Sequence, residues 1–80
     1  MTPRLISARH VGEYRIELTY DDGARGVIDL ESELWGEVFE PLKDLAVFPT
    51  FELSEELGTL VWPNGADLAP EFLYAKVAAA

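Results

Sequence analysis

Hydrophobic and polar positions alternate most sharply between Tyr14 and Tyr20, where Tyr14, Ile16, Leu18 and Tyr20 share one side and Arg15, Glu17 and Thr19 the other. A period of two marks a half-buried strand. The Asp22-Gly23 pair that follows is a hairpin signal, and Arg25 to Leu30, centred on β-branched Val27 and Ile28, is the return strand. Arg4 to Val11 alternates weakly, with Leu5, Ser7 and Arg9 on one side and Ile6, Ala8 and His10 on the other, as expected of an edge strand or one with a mixed face. The joins are too short for crossovers, so these three segments form an antiparallel meander.

The period then changes. Leu30, Leu34, Val38 and Leu42 recur every fourth residue, with Trp35 and Phe39 beside them and Glu31, Glu33, Glu37 and Glu40 between, an amphipathic helical face over Glu31 to Phe48. Gly36 and Pro41 interrupt it. A proline inside a helix costs about 3 kcal/mol, so two short helical pieces are predicted, the second near Pro41 to Ala46. Phe51 to Leu53 and Thr59 to Trp62 are short strands joined through Ser54 to Gly58. A helix from about Pro70 to Val77 turns Phe72, Leu73 and Val77 inward and sets Lys76 near its negative end, with Ala78 to Ala80 fraying. The predicted architecture is one α+β domain over residues 1–80, an antiparallel sheet of about five strands with short helical segments and the C-terminal helix packed on one face.

Between the last strand and the last helix stand the most constrained residues of the chain: Trp62, Pro63, Asn64, Gly65, Asp67 and Pro70. Trp62 brings a large apolar body whose indole N–H needs a partner. Pro63 ends strand pairing, and Asn64 and Gly65 suit a turn with positive φ. Asp67 is expected to accept from free N–H groups at the helix start, with Pro70 in the first turn. Together they read as a structural corner.

Composition narrows the function more than the fold. Eighty residues bury one core, and 49% hydrophobic residues, dispersed rather than gathered in a spanning run, suit a folded chain that does not cross a membrane. No basic stretch followed by an apolar run opens the chain, so no secretory leader is expected and a cytoplasmic location is. The absence of cysteine removes disulfide and thiolate chemistry. A net charge of −9 opposes a phosphate backbone, so direct nucleic-acid binding is not expected; an acidic surface serves solubility and suits a basic protein partner.

No catalytic, cofactor-binding or metal-ligating residue is assigned. His10 is the single histidine and has no spaced orienting partner. Asp21 and Asp22 lack the further oxygen ligands of a calcium loop and read as a hairpin turn. Asp67 and Glu71 are the one carboxylate pair open to acid–base work, although capping and the helix dipole account for both. Arg4, Arg9, Arg15 and Arg25 are expected to neutralise carboxylates such as Glu13 and Glu17 across strands. Trp35 beside Gly36, Tyr74 on the last helix and Glu71 are the candidate interaction surface.

The hairpin at Asp22 and Gly23, Val27 to Leu30, Phe39, Leu42, Asp44 and Phe48, Gly58 to Trp62, and above all the closing WPNGADLAPEFLY from Trp62 to Tyr74 resemble the domain of unknown function numbered twenty-four forty-two, a small bacterial family. The resemblance implies a compact α+β module, followed in some longer relatives by a helix-turn-helix and often encoded beside another small family in a toxin–antitoxin-style pair. It brings no catalytic residues. This chain stops soon after Tyr74, so a helix-turn-helix route to DNA is not expected. The expected function is a non-catalytic protein-interaction module, the regulatory or antitoxin-like half of a two-gene pair, with the adjacent gene's product as partner. The alternatives are an accessory domain of a transcriptional regulator that meets DNA only through another protein, and a small acid–base enzyme using Asp67 and Glu71. Exposed edge strands also allow a homodimer.

Overall fold

In the computed structural model, which describes residues 3–79, the meander forms where alternation places it. Strands β1 (Leu5–Gly12), β2 (Arg15–Tyr20) and β3 (Arg25–Asp29) pair antiparallel in that order. Ile16, Leu18 and Tyr20 of β2 and Ile28 of β3 point into the core. β1 departs from plain alternation, because its pairing shifts between Leu5, opposite Tyr20, and Ser7, opposite Thr19. The extra residue, Ile6, is a bulge that resets the phase of the strand. Leu5 is therefore buried on the face that carries Ala8 and His10, and Ile6 is exposed, the reverse of their expected sides.

The remaining strands, β4 (Glu52–Ser54) and β5 (Thr59–Val61), pair only with each other. The five strands of this α+β domain thus divide into sheets of three and two rather than forming one. β4 packs beside β1 without joining its ladder. The two register shifts in β1 leave no regular edge for a three-residue strand to extend.

The connection from Leu30 to Phe51 holds its short helical pieces as 3-10 turns. It contains three 3-10 turns, Glu31–Glu33, Glu40–Lys43 and Phe48–Thr50, and no α-helix. Leu30, Leu34 and Leu42 are buried as the every-fourth spacing requires, but Val38 and Trp35 are exposed. Gly36 takes a φ of 91°, outside any right-handed helix. Pro41 and Pro49 each sit in the first turn of their own short element, where the missing N–H costs nothing. Asp29 and Asp44 accept from the N–H groups of Glu31 and Ala46, local bonds that compete with a helical ladder.

The last element, α1 (Pro70–Ala79), buries Leu73 and Val77 and half-buries Phe72. The helix includes Ala78 and Ala79, two residues beyond the expected end, as the best helix-forming residue allows; Ala80 lies outside the described residues. The 3-10 turns, the smaller sheet and α1 all cover one face of the meander, where Leu18 and Tyr20 meet a core that includes Phe48, Leu60, Trp62 and Leu73. On the opposite face Glu17 accepts from Arg9 at 3.1 Å and from Arg25 at 3.2 Å, the two neighbouring strands. These guanidiniums hold its carboxyl below the usual range. Glu13 has no such role: it occupies the β1–β2 turn with a φ of 45°, and Arg4 and Arg15 form no ion pair among the described residues.

Candidate functional site

The corner is itself a tight hairpin turn. The Trp62 N–H donates to the Ala66 carbonyl and the Gly65 N–H to the Trp62 carbonyl, both at 2.9 Å, while Val61 bridges Asp67. Gly65 supplies the left-handed residue (φ 92°), Asn64 does not, and the Trp62–Pro63 bond is trans. Trp62 is buried, and its indole N–H finds its partner across the core, the Phe48 carbonyl at 2.9 Å. The Asn64 side-chain amide accepts from the Ala66 N–H at 3.1 Å and donates to the Val38 carbonyl at 2.9 Å. Buried Thr59, not singled out by the sequence, donates to the Leu68 carbonyl at 2.7 Å and fixes the run into α1.

Asp67 does not cap the helix. The first helical residue is Pro70, which makes Ala69 the cap position and leaves Asp67 two residues too early to reach the free N–H groups. Its backbone serves the corner through the bridge to Val61, while its side chain is exposed and makes no hydrogen bond among the described residues.

Of the three residues of the expected interaction surface, Glu71 and Tyr74 stand about one turn apart on α1 and Trp35 belongs to the connection before β4. Glu71 is exposed at α1 in a groove shared with Arg4, Glu55 and Glu56. Tyr74 is half-buried, packs edge-on against Tyr20 at 5.0 Å between ring centres, and donates to the Asp22 carboxylate at 2.6 Å. That bond, helped by the Ala24 N–H, lowers the Asp22 carboxyl below its ordinary range and raises the Tyr74 hydroxyl. Burial, with Tyr74 and Asp22 nearby, pushes Tyr20 up to about 12. Asp67 and Glu71 line separate grooves. His10 is engaged by the Glu13 carbonyl at 2.7 Å and by the edge of Phe48, and no histidine or carboxylate cluster of metal-binding geometry occurs among the described residues.

Trp35 is different. It keeps 70% of its surface exposed at the mouth of a 410 Å³ groove whose apolar walls are Trp35, Phe39, Leu68 and Phe72, with Glu33 and Asp67 among the lining residues. Lys76 sits 5.5 Å over the Phe72 ring and 3.7 Å from Glu33. The bonds already described hold both walls: Asn64 grips Val38 next to Phe39, and Thr59 grips Leu68. The sequence pointed to Trp35 through its neighbour Gly36, but gave no sign that Leu68 and two aromatic residues expected to serve the core, Phe39 and Phe72, would line a groove with it.

A family model described as "Protein of unknown function (DUF2442)" matches residues 5–79. The chain belongs to that family. The match runs from the first residue of β1 to the last of α1, so the DUF2442 unit includes the corner and the whole groove. No curated protein and no solved structure matches the chain.

Proposed function

We propose that this DUF2442 domain is a non-catalytic protein-interaction module, the cytoplasmic regulatory or antitoxin-like half of a small bacterial two-gene pair. One observation carries the reading: Trp35 stands 70% exposed over an apolar groove while Trp62 and the four phenylalanines are buried or half-buried. The core does not use this side chain, and tryptophans in such settings are the residue type most enriched at binding hot spots. The separation of Asp67 from Glu71 and the engagement of His10 support a non-catalytic role. The family resemblance supports the two-gene setting.

Co-expression with the product of the adjacent gene tests it. The expected result is a complex that survives purification at micromolar concentration and is weakened about tenfold or more by Trp35→Ala. Failure to form any complex at that concentration sinks the reading.

A further inference from the structure

Resting on that reading, we infer that the groove receives a positively charged segment of the partner protein, which inserts an apolar side chain between Trp35 and Phe72 and sets a Lys or Arg against Asp67. The apolar requirement follows from the walls. Trp35, Phe39, Leu68 and Phe72 offer rings and a branched chain, and Lys76 already occupies the cationic position over Phe72. The exposed indole is the largest apolar surface of the lining still open to a ligand.

The charge requirement follows from what is paired and what is not. Of the two carboxylates that line the groove, Glu33 is matched by Lys76, but Asp67 has no ion-pair partner among the described residues. The stretch from residue 31 to 40, which carries Trp35, holds four glutamates and no Lys or Arg. A cation brought to this rim gains attraction at no cost in broken protein pairs. A second copy of the chain is disfavoured as occupant, because a two-fold contact sets each patch against itself, and here that places two acidic rims together on chains of charge −9.

The test is an unbiased selection. Random peptides of about 12 residues, displayed on phage, are selected against the full chain; the enriched ones are synthesised and titrated while amide shifts are followed. The expected peptides carry Lys or Arg next to an aliphatic or aromatic residue and shift Trp35, Phe39, Leu68 and Phe72. They bind about tenfold or more weakly to Trp35→Ala and to Asp67→Lys, and more weakly as salt rises. Asp67 is exposed and its side chain makes no hydrogen bond, so the second variant keeps the fold, which the undisturbed amide spectrum checks. Acidic or uncharged peptides, shifts centred on Arg9, Arg15 and Arg25, a Trp35-dependent dimer of the chain alone, or no enrichment at all would each overturn the inference. The two readings separate cleanly. If the adjacent gene's product binds but the peptides are acidic or bind elsewhere, only the inference falls; if neither binds, both fall.

Discussion

The meander and the connection from Leu30 to Phe51 solve the same problem in opposite ways. The meander pairs its backbone with itself through two antiparallel ladders, one of them stepped by the shifts in β1, and its side chains are free to fill the core. The connection has only isolated turns, and side chains from elsewhere in the fold capture its carbonyls: Tyr14 takes Lys43, Trp62 takes Phe48 and Asn64 takes Val38. A buried carbonyl without a partner is costly, which makes the bond to Phe48, the buried one of the three, the one the fold needs most. The lesson concerns the Trp-Pro-Asn corner. Its rare residues hold in place another segment, the one that displays Trp35.

The largest test of this division is Trp62. Trp62→Ala is expected to cost about 3–5 kcal/mol, enough to unfold a small domain at moderate temperature. Trp62→Phe is sharper, since it keeps a ring but strands the Phe48 carbonyl, and should cost about 1–3 kcal/mol by urea unfolding. A silent Trp62→Phe would show that the connection holds itself. Next comes Asn64→Ala, which removes both amide bonds at a cost of about 1–2 kcal/mol. Its amide exchange should rise around residues 36–40 and stay unchanged in β2, whereas Asn64→Asp, which keeps the acceptor for Ala66, should loosen residues 36–40 alone.

A side-chain bond also fastens α1 to the meander, and pH reads it. Tyr74 joins α1 to the β2–β3 turn through Asp22. The Asp22 carboxyl is lowered in the fold, so its contribution is complete above the ordinary carboxylate range and is lost as pH falls through the folded value. Tyr20 is raised to about 12, so its contribution is complete below about pH 10, where an unfolded tyrosine begins to ionise, and is lost as pH climbs toward 12. Urea midpoints across pH should therefore fall on both limbs. Tyr74→Phe should blunt the acid limb, and Tyr20→Phe, which keeps the ring and removes the titrating hydroxyl, the alkaline one.

These residues also mark how far the sequence could be read. Alternation gave β2 and β3 because strand faces depend on neighbours two positions apart, and Leu73 and Val77 gave α1 by the same local logic. The phase of β1 was hidden, since a bulge at Ile6 leaves no mark on composition. The spacing of Leu30, Leu34 and Leu42 was sound evidence of burial but not of helix, because Gly36 and two prolines broke the period that the leucines suggested. In the corner, Trp62, Pro63 and Gly65 took the parts their chemistry dictates. The groove was out of reach: Phe39 comes from the connection before β4, Leu68 from the run into α1 and Phe72 from α1 itself, and the bonds of Asn64 to Val38 and Thr59 to Leu68 that help set its walls leave no local pattern.

Asp67 supplies the smallest effect and the finest separation between the two regions. An N-cap carboxylate would cost about 1 kcal/mol to lose, and the sequence placed Asp67 in that role. In the fold only its backbone is engaged, through the bridge to Val61, and the carboxylate faces solvent at the groove. Asp67→Asn leaves that backbone unchanged and should alter unfolding free energy by less than about 0.5 kcal/mol, the usual range for an exposed side chain without fixed partners. A loss of 1 kcal/mol or more in urea would return Asp67 to the scaffold and remove the one unpaired carboxylate lining the groove, whereas an unchanged midpoint leaves its charge free to act on whatever the groove receives.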